Sequence, residues 1–229
     1  MTTFNVTSLG VPNAIVSGFS SDGRYVSYIV EENGIATLYV RDVTSGATTT
    51  VASTTEGIAG AAISADGRYV FYGTGGSSTN PDDSQLWVKD LQSGASATDV
   101  TPYCPPQPFP GTDVGFMPLA ISADGEHVVY DIRYIDNTHN TPNFFGQAVL
   151  DVTTQTETRI EGYNHEDFRI TPDGRFVTFI AAGDDPPNLT VFDTQTRSAT
   201  HYGNYGFLPG RLTLVEGASQ MMAASLRLN

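Results

Sequence analysis

The sequence predicts an all-β protein assembled from repeated four-stranded antiparallel sheets, and three observations carry that prediction. One motif occurs four times, first as Ser20-Ser21-Asp22-Gly23-Arg24-Tyr25-Val26 and again at residues 64–70, 122–128 and 171–177. Its aspartates, Asp22, Asp66, Asp124 and Asp173, stand 44, 58 and 49 residues apart, a spacing that marks an array of supersecondary units. Apolar and polar residues alternate with period two on both sides of the motif. A second turn signal follows each motif at a similar distance.

The elements of one unit follow in order. Short runs such as Ala61-Ala62-Ile63 and Leu119-Ala120-Ile121 lead into the motif as a first strand. Their small residues suit strands crowded around a common axis. Asp-Gly then makes a hairpin turn, because glycine accepts the positive φ that a tight turn needs. The recurrence of the aspartate is explained by turn chemistry rather than catalysis or calcium binding. Val26 and Tyr28, Val70 and Tyr72, Val128 and Tyr130, and Val177 and Phe179 mark the second strand. The third strand ends in Asp42, Asp90, Asp151 or Asp193, with valine two residues earlier in every repeat. Polar turns then lead to a fourth short strand near residues 48–51, 97–100, 157–160 and 198–201. Four antiparallel strands per unit describe a blade of a β-propeller.

Residues 1–229 are expected to form one such domain. Phe4–Leu9 and the strand–turn–strand pattern of residues 211–228, with Glu216-Gly217 in place of Asp-Gly, are expected to combine into a fifth, composite blade. Closing the ring in this way would cover sheet edges that otherwise template aggregation.

Composition narrows the function. A net charge of −14, with one lysine (Lys89), argues against nucleic acid and anionic membrane surfaces. No run of 18 apolar residues is present, so no membrane insertion is expected. Cys104 is the sole cysteine, which leaves no intrachain disulfide and no thiolate metal site. Residues 1–7 hold neither a basic segment nor an apolar stretch and do not read as a signal peptide. The acidic balance, the single lysine and the abundant Thr and Ser lean toward an extracellular or cell-surface setting.

The motif, followed by Leu-x-Val-x-Asp strands, resembles the TolB-like, WD-repeat-like β-propeller repeats of bacteria over about Val16 to Gly203. That resemblance implies the propeller fold. It leaves function open, since such propellers serve as protein-binding scaffolds, as accessory domains of peptidases and as polysaccharide-lyase folds.

The Asp-Gly and Ser-Gly turns fall on one face of such a blade array, and all variable connections fall on the other. The variable face is therefore the expected binding face. Its candidate residues are Tyr103, Tyr134, Asp136, His139, Phe144, Phe145, His165, Asp184 and Asp185, with Phe109 and Phe116 beside them. Residues 134–146, 103–117 and 163–167 are read as loops. His139 and His165, with Asp136 and Glu166, form the one group with metal or acid–base potential. There is no Gly-x-Ser-x-Gly nucleophile elbow and no phosphate-binding glycine loop. The expected function is a non-enzymatic binding or scaffold propeller that engages a protein or cell-surface component. A glycan-binding propeller is the alternative, followed by a carbohydrate-active lyase or hydrolase. No cofactor or metal is implied.

Overall fold

The computed structural model describes residues 10–75, 84–102, 112–136, 141–160, 165–181 and 188–202. Sixteen strands and no helix occur among them. They form four antiparallel sheets of four strands, each built from consecutive strands. Blade 1 holds β1 (Ile15–Phe19), β2 (Tyr25–Glu32), β3 (Ile35–Asp42) and β4 (Thr48–Thr54). Blade 2 holds β5 (Ile58–Ile63), β6 (Tyr69–Thr74), β7 (Gln85–Asp90) and β8 (Thr98–Asp99). Blade 3 holds β9 (Thr112–Ile121), β10 (His127–Asp136), β11 (Thr141–Asp151) and β12 (Thr156–Ile160). Blade 4 holds β13 (His165–Ile170), β14 (Phe176–Ala181), β15 (Asn188–Asp193) and β16 (Ser198–Tyr202). The terminal pieces expected to form a fifth blade lie outside the described residues.

The repeated motif closes each first hairpin with its own side chains. Ser20 Oγ donates to Asp22 Oδ1 (2.6 Å) and accepts from the Tyr25 amide (2.9 Å), while Asp22 Oδ1 accepts from the Arg24 amide (2.9 Å). Gly23 sits at φ 73° and donates its amide to the Ser20 carbonyl. The same bonds recur around Ser64 and Asp66, Ser122 and Asp124, and Thr171 and Asp173. All four aspartates are therefore turn residues.

The aspartate ending each third strand shapes the other turn on this lower face. Asp42 Oδ1 accepts from the amides of Thr44 and Ser45, and Asp90, Asp151 and Asp193 repeat the arrangement. An arginine ties the two turns of a blade together: Arg24 to Asp42 at 2.8 Å, Arg68 to Asp90 at 2.7 Å and Arg175 to Asp193 at 3.3 Å. Blade 3 departs from the pattern, with Glu126 at the arginine position.

These ties predict an acid sensitivity. The Arg68 hydrogen bond, supported by backbone amides, lowers the Asp90 carboxyl to about 2, and Arg24 holds Asp42 below the usual carboxylate range. Folded values lie below the unfolded value of ~3.9, so the unfolded chain binds more protons in that window. The contribution is complete above about pH 4 and is lost as pH falls toward ~2. The urea midpoint should drop across that range, and the drop should be shallower in Arg68→Ala, which separates this effect from relief of the net negative charge. Because these pairs are exposed, added salt should shrink the difference.

The core lies in the seams between blades. On each second strand, alternate residues face the preceding and the following blade. Between blades 1 and 2, Ile29, Leu38 and Val40 meet Ile63, Val70 and Tyr72. Phe71, Leu86 and Val88 meet Val128, Tyr130 and Ile132 in the next seam, and Val129 and Val149 meet Phe168, Val177 and Phe179 in the third. The recurring valine and aromatic of β6, β10 and β14 thus always face the preceding blade. A second stagger links the lower turns. The Tyr25 ring lies against Gly67, Tyr69 against Gly125 and His127 against Gly174, so that a Cβ on any of these glycines would overlap the ring.

Candidate binding face

Blade 3 is taller than its neighbours. Its inner three strands have 10, 10 and 11 residues, against six in the first three strands of both blade 2 and blade 4. Four additional residues at ~3.3 Å each raise this sheet by about 13 Å. The register places the extension on the upper face, where Asp136 pairs with both Thr112 and Thr141. The short outer strand β12 does not follow. Its pairing with β11 stops at Gln147 opposite Ile160. Above that level, the edge of β11 from Thr141 to Phe145 has no strand partner among the described residues. Pro142 fits there, since proline in sheets is confined largely to edges.

This corrects three loop expectations. Residues 134–136 and 141–146 are strand rather than connection, and only residues 137–140 lie between β10 and β11. Residues 112–117 belong to β9 and residues 165–167 to β13. The cause is cross-strand pairing: three segments that look irregular singly complete one another's backbone hydrogen bonds as a sheet. Phe116 is also corrected. It is buried in the seam with blade 2, edge-on to Tyr130 at 5.8 Å between ring centres.

The candidate residues fall into two sets. Tyr134 pairs with Asn143 and Val114, Asp136 with Thr141 and Thr112, and Phe144 with Arg133. Phe145 occupies the bulge between Phe144 and Gly146, so the tall sheet gathers Tyr134, Asp136, Phe144 and Phe145. His165 opens β13 opposite Ala181, in the next blade. Tyr103, His139, Asp184 and Asp185 lie outside the described residues. Among the described residues, no group of three or more His, Cys, Asp or Glu could hold a metal ion. No helix among them is long and apolar enough to cross a membrane.

Beneath the platform lies a polar cluster absent from the sequence-based expectations. Asp131 and Gln147 are directly opposed across β10 and β11, both buried, with Gln147 Nε2 donating to Asp131 Oδ1 at 3.0 Å. Arg133 pairs with Asp131 Oδ2 at 3.3 Å. These residues continue the row of Val129 and Val149 toward the upper face. The available sequence signal was an acid within the apolar run Val128–Ile132, at a position whose periodicity points inward. In this low-dielectric setting the amide and guanidinium satisfy the carboxylate, and the pair pins the register of the tall hairpin above it. On β13, Asp167 adopts φ 58° and pairs with Arg169 at 2.7 Å beside the bulge of that strand.

Comparison with solved structures agrees with this architecture. Putative TolB from Agrobacterium tumefaciens superposes with a TM-score of 0.52 at 17% identity, covering 84% of this chain and 63% of that one. TolB from Acinetobacter baumannii gives 0.48 at 13% identity, over 82% and 43%. Pyrococcus horikoshii acylaminoacyl peptidase gives 0.48 at 12% identity, over 83% and 32%. The chain therefore spans less than two thirds of the length of each. No family model and no curated protein matches the chain. The four blades and the likeness to the Agrobacterium tumefaciens structure make the fold a TolB-like β-propeller.

Proposed function

We propose that this propeller is a non-enzymatic binding module that engages a protein partner through its upper face, centred on the raised sheet of blade 3. The height of that sheet is the observation that supports this reading. It raises backbone that carries Tyr134, Phe144 and Phe145 above the level of the neighbouring sheets, and the buried Asp131–Gln147 pair lies at its base. Tyr134, Phe144 and Phe145 bring the residue types that dominate binding energy at interfaces, with Asp136 at the rim. The uniform lower face offers the same turns in every blade and is the poorer candidate.

Replacing residues 134–143 by Asn-Gly would keep Arg133 opposite Phe144 in a two-residue hairpin. The shortened protein should keep its circular dichroism spectrum. It should lose about 2 kcal/mol or more of binding to a protein captured by the intact one, roughly 30-fold in affinity. Equal affinity of both forms would refute the proposal. Retention on immobilised glycans but not on proteins would shift the reading to a glycan-binding propeller.

A further inference from the structure

Blade 3 leaves part of a strand edge open, and the other blades do not. In blade 1, β4 follows β3 up to Ala36, next to the start of that strand at Ile35. In blade 4, β16 follows β15 up to Leu189, next to its start at Asn188. In blade 2, the Leu86 carbonyl accepts from the Val100 amide, and the Leu86 amide donates to Thr101 Oγ1. In blade 3, β12 stops opposite Gln147, so residues 141–146 have no outer strand partner among the described residues. The bulge at Phe145, with Gly146 at φ 141°, lies just above the last β12 pair and marks where that pairing ends.

The register identifies the backbone groups that this edge offers. Val152 donates its amide to the Glu126 carbonyl, so Glu126 turns its backbone toward the β11 side. Alternation along β10 gives the same orientation to Tyr134 and Asp136, whose partners are Asn143 and Thr141. The backbone groups of Pro142 and Phe144 therefore point outward. The edge presents two carbonyls and a single amide, that of Phe144, because proline has no N–H to give. An unpaired row of this kind is a template for another strand.

We infer that the protein partner adds an extended, basic segment to the β11 edge as a fifth strand of blade 3. This rests on the binding-face reading above and names the form of partner that face takes. In strand addition, main-chain hydrogen bonds supply the affinity and alternate side chains the specificity. A second copy of this chain is the poorer occupant. Its own edge would bring the same excess of acceptors, and each copy carries a net charge of −14. The charge also favours Lys or Arg in the incoming strand. Asp113 and Asp136 hold adjacent register positions at the top of the sheet, whereas Asp131, lower down, is matched by Arg133.

The probe is a displayed library of random peptides about ten residues long, the upper range of ordinary strands. It is selected on the intact chain and counter-selected on the form in which Asn-Gly replaces residues 134–143. Enriched peptides should carry Lys or Arg. N-methylation of one such peptide, one amide at a time, should weaken binding about ten-fold or more at every second position and little in between, because a strand turns alternate amides toward its neighbour. Hydrogen exchange at the Phe144 amide of the intact chain should slow about ten-fold or more on binding. Binding that needs the raised sheet yet shows neither the alternation nor the slowing would mean docking through side chains. That result would overturn the inference and leave the proposed binding face standing. Peptides that bind both forms equally, or no enrichment at all, would overturn the inference and count against the binding face as well. Self-association of the intact chain that the shortened form lacks would assign the edge to a second copy and also overturn it.

Discussion

Phe71→Ala should destabilise the protein by about 3–5 kcal/mol, the usual cost of truncating a fully buried aromatic. Phe71 is wholly buried and lies in the seam between blades 2 and 3, where Leu86, Val88 and Val128 surround it. Removing the ring exposes a void between two sheets that can move together only by disturbing their other seams. Domain stabilities are commonly 5–15 kcal/mol, so the loss is a large share of the total. Denaturant unfolding should show a lower midpoint with an unchanged slope. A loss under about 1 kcal/mol would mean that the seam readily repacks and that the blades are less tightly fitted than the burial implies.

Gly67→Ala should be the second severe change, by about 2–5 kcal/mol, combining left-handed backbone strain with overpacking. Gly67 has φ 74°, and its open side is filled by the Tyr25 ring of the previous blade. Gly23→Ala is the matched comparison. Gly23 has nearly the same φ, 73°, but among the described residues nothing lies within 4 Å of where a Cβ would be. It should lose only about 1–2 kcal/mol, the backbone part alone. Measured side by side, the two variants separate the conformational need for glycine from the steric one. Similar losses for both would remove the ring-on-glycine stagger as a source of stability.

The lower face was legible because its signals are local. Asp-Gly, the serine two residues before the aspartate, and the valine and aromatic that follow all act within one hairpin, so one segment suffices to read them. The raised sheet was not legible for the opposite reason. Pro142, Asn143 and Gly146 carry turn chemistry, and nothing within residues 141–146 announces a strand. Their strand character comes from pairing with β10, whose own upper half is held by β9. Of the candidate site, Tyr134, Asp136, Phe144 and Phe145 were chosen by residue type and expected in loops, whereas they lie in strands. Asp131 and Gln147 were missed because each looks ordinary alone, and only their direct opposition across two strands makes a buried pair.

The ring-on-glycine stagger also gives the array a direction. Each unit offers a ring forward and a bare glycine backward, so a unit copied in tandem fits at both of its borders without further change. Such a chain gains or loses length most safely in whole units, with the copy number free to vary. The upper edge takes no part in that fit. One copy is therefore free to grow a tall sheet while its neighbours stay short, and an inherited framework can acquire a new recognition surface by altering a single unit.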